Sequence, residues 1–132
     1  MSQTHLAVVN RTRGKLPGVP FAKLKKAVLG EKYDLSVALL TPKEARAMSK
    51  KTKHKDTPSN VLSFVLSPSS GEILLCPATA KSQAHLYEAT PTDFLSYLFI
   101  HGMFHLKGFT HGATMERSER RVLKRFTVTV TL

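Results

Sequence analysis

Residues 90–111 read TPTDFLSYLFIHGMFHLKGFTH, and this stretch decides the fold. It opens with the signals that begin a helix, which are Thr90 as N-cap, a proline at the first helical position and an acid at the third. The residues that follow are apolar on nearly every side, so we expect a buried helix that runs through His105. Gly108 can take a positive φ and end that helix.

Three histidines lie at the end of this helix and just beyond it, at positions 101, 105 and 111. Four helical residues rise about 6 Å and turn about 40° past a full circle, so the rings of His101 and His105 leave one face. A turn at Gly108 lets the chain double back and bring His111 toward them. Three protein nitrogens and one position for water make the open type of zinc site found in enzymes. We therefore predict one Zn²⁺ per chain, held by these three residues.

An isolated histidine in an apolar helix is usually a core residue, but three at this spacing favour a metal site. The same spacing occurs in the extended metalloprotease motif, where a Glu follows the first His. Position 102 is a glycine here, which disfavours a peptide hydrolase that uses that Glu as general base. His5 and His85 have no partner at ligand spacing, and His54, within a basic run, is interpreted as part of a solvated loop, with contact to an anion as the alternative. Cys76 follows an apolar run and is predicted to be a small core residue.

The charge and composition of the chain indicate its class. It has 132 residues with 42% hydrophobic residues, which suits one soluble domain over residues 1–132. Twenty Lys and Arg against nine Asp and Glu give a formal net charge of +11, which attracts polyanions such as nucleic acid. A single cysteine excludes an intrachain disulfide. Since the chain also lacks a signal-like start and any apolar run of bilayer length, we expect a cytoplasmic protein without a membrane segment.

The rest of the chain alternates short strands and helices. We predict strands at 6–9, 35–40, 61–66 and 72–76, and helices around 21–28, from 41 onward, over 81–87 and over 115–126. The alternating tail TVTVTL, residues 127–132, is expected to pair at a sheet edge or to fray. Mixed elements without an internal repeat predict an α+β fold, in which a small mixed sheet packs with helices.

A second segment, KHKDTPSNVLSF at residues 53–64, passes from a basic cluster through a proline turn into an apolar strand. It overlaps the run SKKTKHK at residues 49–55, the densest positive part of the chain. An ordinary surface loop that leads into a core strand has the same pattern. The functional alternative places these lysines at the edge of a site, facing phosphate. The candidate RNA-binding residues are Lys50, Lys51, Lys53 and Lys55.

Together these segments resemble the bacterial rRNA maturation endoribonuclease family, YbeY. The metal motif of that family, H-G-x-L-H-L-x-G-[YF]-D-H, is similar to residues 101–111. Its second motif, R-x-K-D-x-P-T-[ND]-V-L-S-F, is similar to residues 53–64, and its strand G-D-I-x-I-C to GEILLC at residues 71–76. The order and spacing of all three motifs agree, so the resemblance covers most of the chain.

The resemblance implies one α+β domain with a zincin-like helix that carries the metal. It implies a zinc-dependent endoribonuclease that cuts single-stranded RNA in 16S rRNA 3′-end maturation and ribosome quality control. The partners would be single-stranded RNA, 16S rRNA and ribosomal subunits. The catalytic residues would be His101, as a metal ligand, and Lys53, which would neutralise charge that builds on phosphorus.

The chain departs from the family pattern at several positions. Lys53 stands where the family has arginine, and it keeps the charge but loses the bidentate fork. Thr110 replaces an acid and so cannot be an anionic partner of a ligand. Met103 and Phe104 replace the usual leucine beside His105, and the stretch after His111 is shorter and less acidic. The alternative function is a catalytically weak, metal-containing module that binds rRNA in ribosome assembly.

Overall fold

A computed structural model of the chain describes residues 5–51 and 60–132. Strands and helices alternate as far as the third strand, which is followed by the fourth, and the later elements of the described chain are helical, with a 3₁₀ turn before the long central helix. None of the helices in the described ranges is long and apolar enough to cross a bilayer. The elements are β1 (Leu6–Asn10), α1 (Phe21–Leu29), β2 (Asp34–Leu39), α2 (Pro42–Lys51), β3 (Val61–Ser67), β4 (Ser70–Leu75), α3 (Pro77–Gln83), the 3₁₀ turn (Ala84–Tyr87), α4 (Pro91–Leu106) and α5 (Ala113–Arg125).

The four strands form one mixed sheet in the order β1-β2-β4-β3. β1 is parallel to β2, and β2 is parallel to β4. β3 is antiparallel to β4, and a tight hairpin leads from β3 into β4. The carboxyl ends of β1, β2 and β4 therefore share one edge of the sheet. The start of β3 meets that same edge, because Val61 pairs with Leu75. The predicted α+β fold with a small mixed sheet is confirmed.

The helix α4 is the centre of the core, as its composition predicts. It lies against β3 and β4 on one side and against α1, α3 and α5 on the others. Phe94, Phe99, Ile100 and Met103 are each no more than 1% exposed. Full burial on every side explains why the apolar residues of α4 are not confined to one stripe. The opposite face of the sheet carries a smaller cluster, which includes Ala45 of α2.

Two sequence predictions need correction. The helix predicted over 81–87 begins earlier, at Pro77, because a proline fits the first turn of a helix and Cys76 before it is extended. The tail after Phe126 neither pairs as a strand nor frays. The backbone N–H of Thr131 donates to Tyr87 O at 2.8 Å, and that of Thr129 donates to the carboxylate of Asp93 at 3.1 Å.

Gly102 lets α4 approach β3 closely. The hydroxyl of Ser63 donates to the carbonyl of Gly102 at 3.0 Å. A Cβ atom at position 102 would lie 2.9 Å from Ser63 Oγ and 3.0 Å from Val61 Cγ2, both inside normal contact distance. A side chain here would therefore push the helix away from the strand that borders the histidines.

We expect Gly102→Ala to destabilise the fold by about 1–3 kcal/mol, the usual range for overpacking a core, despite the better helix propensity of alanine. Urea unfolding followed by circular dichroism measures this change. Gly14→Ala is the control, because a Cβ there meets its nearest atom at 3.8 Å, an ordinary contact. Equal unfolding midpoints for wild type and Gly102→Ala would show that the helix and strand do not need this close approach.

Candidate metal centre

The structure brings His101, His105 and His111 together. One ring nitrogen from each lies within 4.8 Å of the corresponding nitrogens of the others. His101 and His105 lie on consecutive turns at the end of α4, which is the arrangement their spacing predicts. Gly108, with φ of 92°, turns the chain so that His111 faces back toward them. The predicted turn at Gly108 is confirmed, whereas metal binding by the three residues stays a prediction.

Hydrogen bonds on the far side of two rings fix which nitrogen carries the proton. His101 Nδ1 lies 2.6 Å from Glu119 Oε2, and His105 Nδ1 lies 3.2 Å from the carbonyl oxygen of Phe109. Both oxygens accept, so each Nδ1 donates and each Nε2 keeps its lone pair. This pattern, in which the outer nitrogen is held by a carboxylate or a backbone carbonyl, is typical of histidines that ligate metals.

The two lone pairs face each other. His101 Nε2 and His105 Nε2 are 3.0 Å apart. With both Nδ1 atoms donating outward, this close contact requires a cation between the two inner nitrogens, either a proton that the rings share or a metal ion. Burial lowers the pKa of His105, and the neighbouring His101 lowers it further, which keeps the ring neutral and ready to ligate. Three imidazole nitrogens are a donor set that fits Zn²⁺.

Glu119 was missed by the sequence analysis. It is 3% exposed and lies on the inner face of α5, between Met115 and Leu123 at spacings of four residues. An acid inside an apolar stripe at helical spacing was the available signal, since a buried carboxylate needs a partner. Glu119 supplies the anionic contact that the exposed Thr110 cannot.

Tyr97 lies one turn before His101 on α4, with ring centroids 5.8 Å apart. Burial, together with the negative charge of Glu119, raises the pKa of Tyr97 to about 12. Its hydroxyl is therefore protonated at neutral pH. Tyr97 therefore lies against His101 as a neutral group.

The three histidines form one wall of a cavity of about 380 Å³, and residues 61–64 of β3 form the other. We call this the histidine cavity. Its described lining contains no carboxylate. A metalloprotease has its Glu at the position after the first histidine. In this chain that position is Gly102, which packs closely against β3. The described geometry therefore gives a peptide hydrolase no general base.

The other predicted residues fall in different places. Lys50 and Lys51 are exposed in the last turn of α2 and are not among the described residues that line the histidine cavity. Lys53, Lys55 and His54 lie outside the described residues, in the stretch that leads into β3.

Two histidines and the cysteine lie away from the centre. His5 pairs with Asp34 at 2.6 Å, and His85 is exposed in the 3₁₀ turn. Cys76 is fully buried, which confirms its predicted place in the core. None of the three lies in the described lining of the histidine cavity.

We expect Glu119→Gln to weaken Zn²⁺ binding by about 10–100-fold, the usual effect of losing a carboxylate behind a ligating histidine. A competition titration against a chromogenic chelator measures the affinity. Glu116→Gln is the control, because Glu116 is an exposed acid on the same helix. If both variants bound zinc equally well, Glu119 would be only a buried structural acid.

Comparison with known proteins agrees with this geometry. The family model described as Endoribonuclease YbeY matches residues 17–128. An endoribonuclease YbeY of Francisella philomiragia is 25% identical over 140 residues, covering 94% of this chain and 89% of the relative. One from Rubrobacter xylanophilus is 37% identical over 97 residues, covering 70% and 64%. The solution structure of a Thermotoga maritima protein, 20% identical, has a TM-score of 0.62 over 92% of this chain and 91% of that one, which supports the fold alone.

Proposed function

This chain belongs to the endoribonuclease YbeY family, and from that premise we propose that it is a zinc-dependent endoribonuclease that cuts single-stranded RNA. One observation carries the proposal, namely the convergence of three imidazole nitrogens beside an open cavity. The net charge of +11 supports a polyanionic substrate. We further propose that residues 1–132 act as one domain in the cytoplasm, on the 16S rRNA of ribosomal subunits, in 3′-end maturation and ribosome quality control.

The chain's own residues would prepare the site for catalysis. His101, His105 and His111 would hold the ion, and Glu119 and the Phe109 carbonyl keep two of the rings in the ligating tautomer. When bound, Zn²⁺ lowers the pKa of its water ligand to about 7 and polarises a phosphate oxygen. The buried helix α4 holds two of the ligands rigidly, so little reorganisation is needed when RNA arrives.

The RNA strand would lie along β3. This strand borders the sheet and forms the wall opposite the histidines. Phe64 in that wall offers an apolar surface against which a base can pack. The lysines of the basic run, Lys50, Lys51 and Lys55, would contact phosphates on either side, and Lys53 would act on the phosphate that reacts.

One observation favours the second candidate, a metal-containing module that binds rRNA without cutting it. No carboxylate of the described residues lines the histidine cavity, so an acidic general base is missing from that part of the site. Incubation of the pure protein with labelled single-stranded RNA, with and without chelator, separates the candidates. Cutting that stops on chelation supports the nuclease, and binding without cutting supports the module.

We expect His105→Ala to lose most of its bound zinc, because the two nitrogens that remain hold the ion poorly. Elemental analysis of the purified variant measures this loss, and cleavage of single-stranded RNA should fall with it. His85→Ala is the control, since His85 is exposed and lies away from the histidine cavity. Full zinc occupancy in His105→Ala would remove this residue from the ligand set.

We expect Lys53→Ala to slow cleavage by roughly 10²-fold, the scale of losing one donor to the transition state, and to leave zinc content unchanged. Lys53→Arg should preserve or raise the rate, because a guanidinium grips two phosphate oxygens. Single-turnover cleavage at saturating RNA is the measurement. A Lys53→Ala rate within a factor of about two of wild type would leave Lys53 as one solvated charge among many.

A further inference from the structure

A second cavity lies at the edge of the sheet where the parallel strands β1, β2 and β4 end. It has a volume of about 550 Å³, a size that suits a small ligand. Three loops meet there: the basic segment after β1, the connection from β2 to α2, and the start of α3. The carboxyl edge of parallel strands is the usual ligand site in open sheets. The residues that line this edge cavity are Thr12, Arg13, Gly14, Lys15, Leu40, Thr41, Pro42, Pro77, Ala78 and Lys81.

Three exposed cations line the edge cavity, and each of the three loops is close to at least one of them. Arg13 and Lys15 follow β1, and Lys81 lies on α3. No acidic side chain is in the described lining, and none of the three cations forms an ion pair within the described ranges. Glu44 is the acid nearest in sequence to the connection from β2 to α2. Its carboxylate already accepts hydrogen bonds from the Arg11 side chain at 2.8 Å and from the Thr41 backbone N–H at 3.1 Å. The positive charge of the edge cavity is therefore uncompensated.

The floor of the edge cavity is apolar. Leu40, Pro42, Pro77 and Ala78 contribute to it, and Leu40 is only 5% exposed. Cations beside a concave apolar surface suit a ligand with an anionic part and a flat organic part. A phosphate with its nucleoside has both, because the cations pair with the phosphate while the base or sugar covers the apolar floor.

The edge cavity lies within reach of an RNA strand bound at the histidine cavity. The start of β3 and the start of α3 meet at this edge, where Cys76 N donates to Asn60 O at 3.2 Å. Neighbouring strands are about 4.8 Å apart, so β2 and β1 lie about 10 and 14 Å from β3. At about 3.4 Å per stacked nucleotide, that distance corresponds to three or four nucleotides.

We propose that the edge cavity is a nucleotide-binding subsite, which holds a phosphate and its nucleoside three to four nucleotides away from the bond at the histidine cavity. The proposal rests on the proposed endoribonuclease function for its RNA ligand. The five exposed cations of α5 are a rival basic surface. Arg120 and Lys124 of that surface line a smaller cavity of about 300 Å³. The edge cavity differs in its position, because it lies where the parallel strands end and where β3, a wall of the histidine cavity, begins.

Binding of single-stranded RNA of two lengths tests the subsite. Fluorescence anisotropy compares an oligonucleotide of about two nucleotides, which is too short to reach the edge cavity from the histidine cavity, with one of about ten, which reaches both cavities. Chelator in the buffer prevents cleavage during the measurement. For the wild type we expect the longer strand to bind about tenfold more tightly or better, as added phosphate contacts require.

The test variant is Arg13→Gln/Lys15→Gln/Lys81→Gln, and the matched control is Lys32→Gln/Arg121→Gln/Lys124→Gln. Both remove three exposed positive charges. The test variant should bind long and short strands almost equally, and its salt slope should fall by about 0.7, the contribution of the one single-strand phosphate that the subsite holds. The control should keep most of the gain with length. Equal losses in the two variants, or no gain with length in the wild type, would overturn the proposal.

A nucleotide competition identifies the source of the phosphate. Adenosine monophosphate in excess should reduce the affinity of the long strand to that of the short one, because it occupies the edge cavity alone. Tight binding of the nucleotide with no gain for longer RNA would make the cavity a free-nucleotide site and overturn the RNA subsite. The wild-type protein could bind longer RNA more tightly, with only the test variant losing this gain in affinity, and yet never cut RNA. That outcome would reject the nuclease function and support the subsite.

Discussion

The burial of α4 is the constraint on which the rest of the structure depends. A helix that is apolar on nearly every side must be covered on every side, and the chain covers it with β3 and β4, α1, α3 and α5. The phenylalanine Phe99 at its centre is fully buried and packs edge-to-face on Phe21 of α1, with centroids 5.0 Å apart. Removal of a large side chain from such a centre loosens every element that touches it. His101 and His105 belong to this helix, so the core holds these two residues of the histidine cluster in place.

Polar nitrogens at the end of a buried helix create a second requirement. Two imidazoles at the end of an apolar core need hydrogen-bond partners for both ring nitrogens. A ring nitrogen without a partner destabilises the fold, because nothing compensates for its desolvation. The outer nitrogens find Glu119 and the Phe109 carbonyl. Among the described residues, the inner nitrogens face each other and His111. The fold thus provides partners for the outer nitrogens and groups the inner ones as a set that could hold a metal ion.

The sequence predicted the parts of the fold that local chemistry controls. The capping signal at Thr90 predicted where α4 begins, and the glycine at 108 predicted the turn that returns His111, because both depend on a few adjacent residues. Glu119 was missed because its role depends on the packing of α5 against α4, eighteen residues away from His101 in the chain. The tail was predicted wrongly because its alternation has the period of a strand, while its hydrogen bonds go to Tyr87 and Asp93, which only the tertiary fold brings near.

The substitution at position 110 changes the charge of the metal centre more than its geometry. Thr110 is exposed and neutral, so Glu119 is the one carboxylate of the described residues that contacts a ligand histidine. If the three histidines hold a divalent ion, one adjacent carboxylate would leave a net charge of about +1, whereas an acid at position 110 would cancel that charge. A positive centre in a cavity attracts a phosphodiester more strongly than a neutral one does. With a metal ion bound, the neutral residue at position 110 would therefore favour an anionic ligand, while Glu119 and the Phe109 carbonyl orient the two rings.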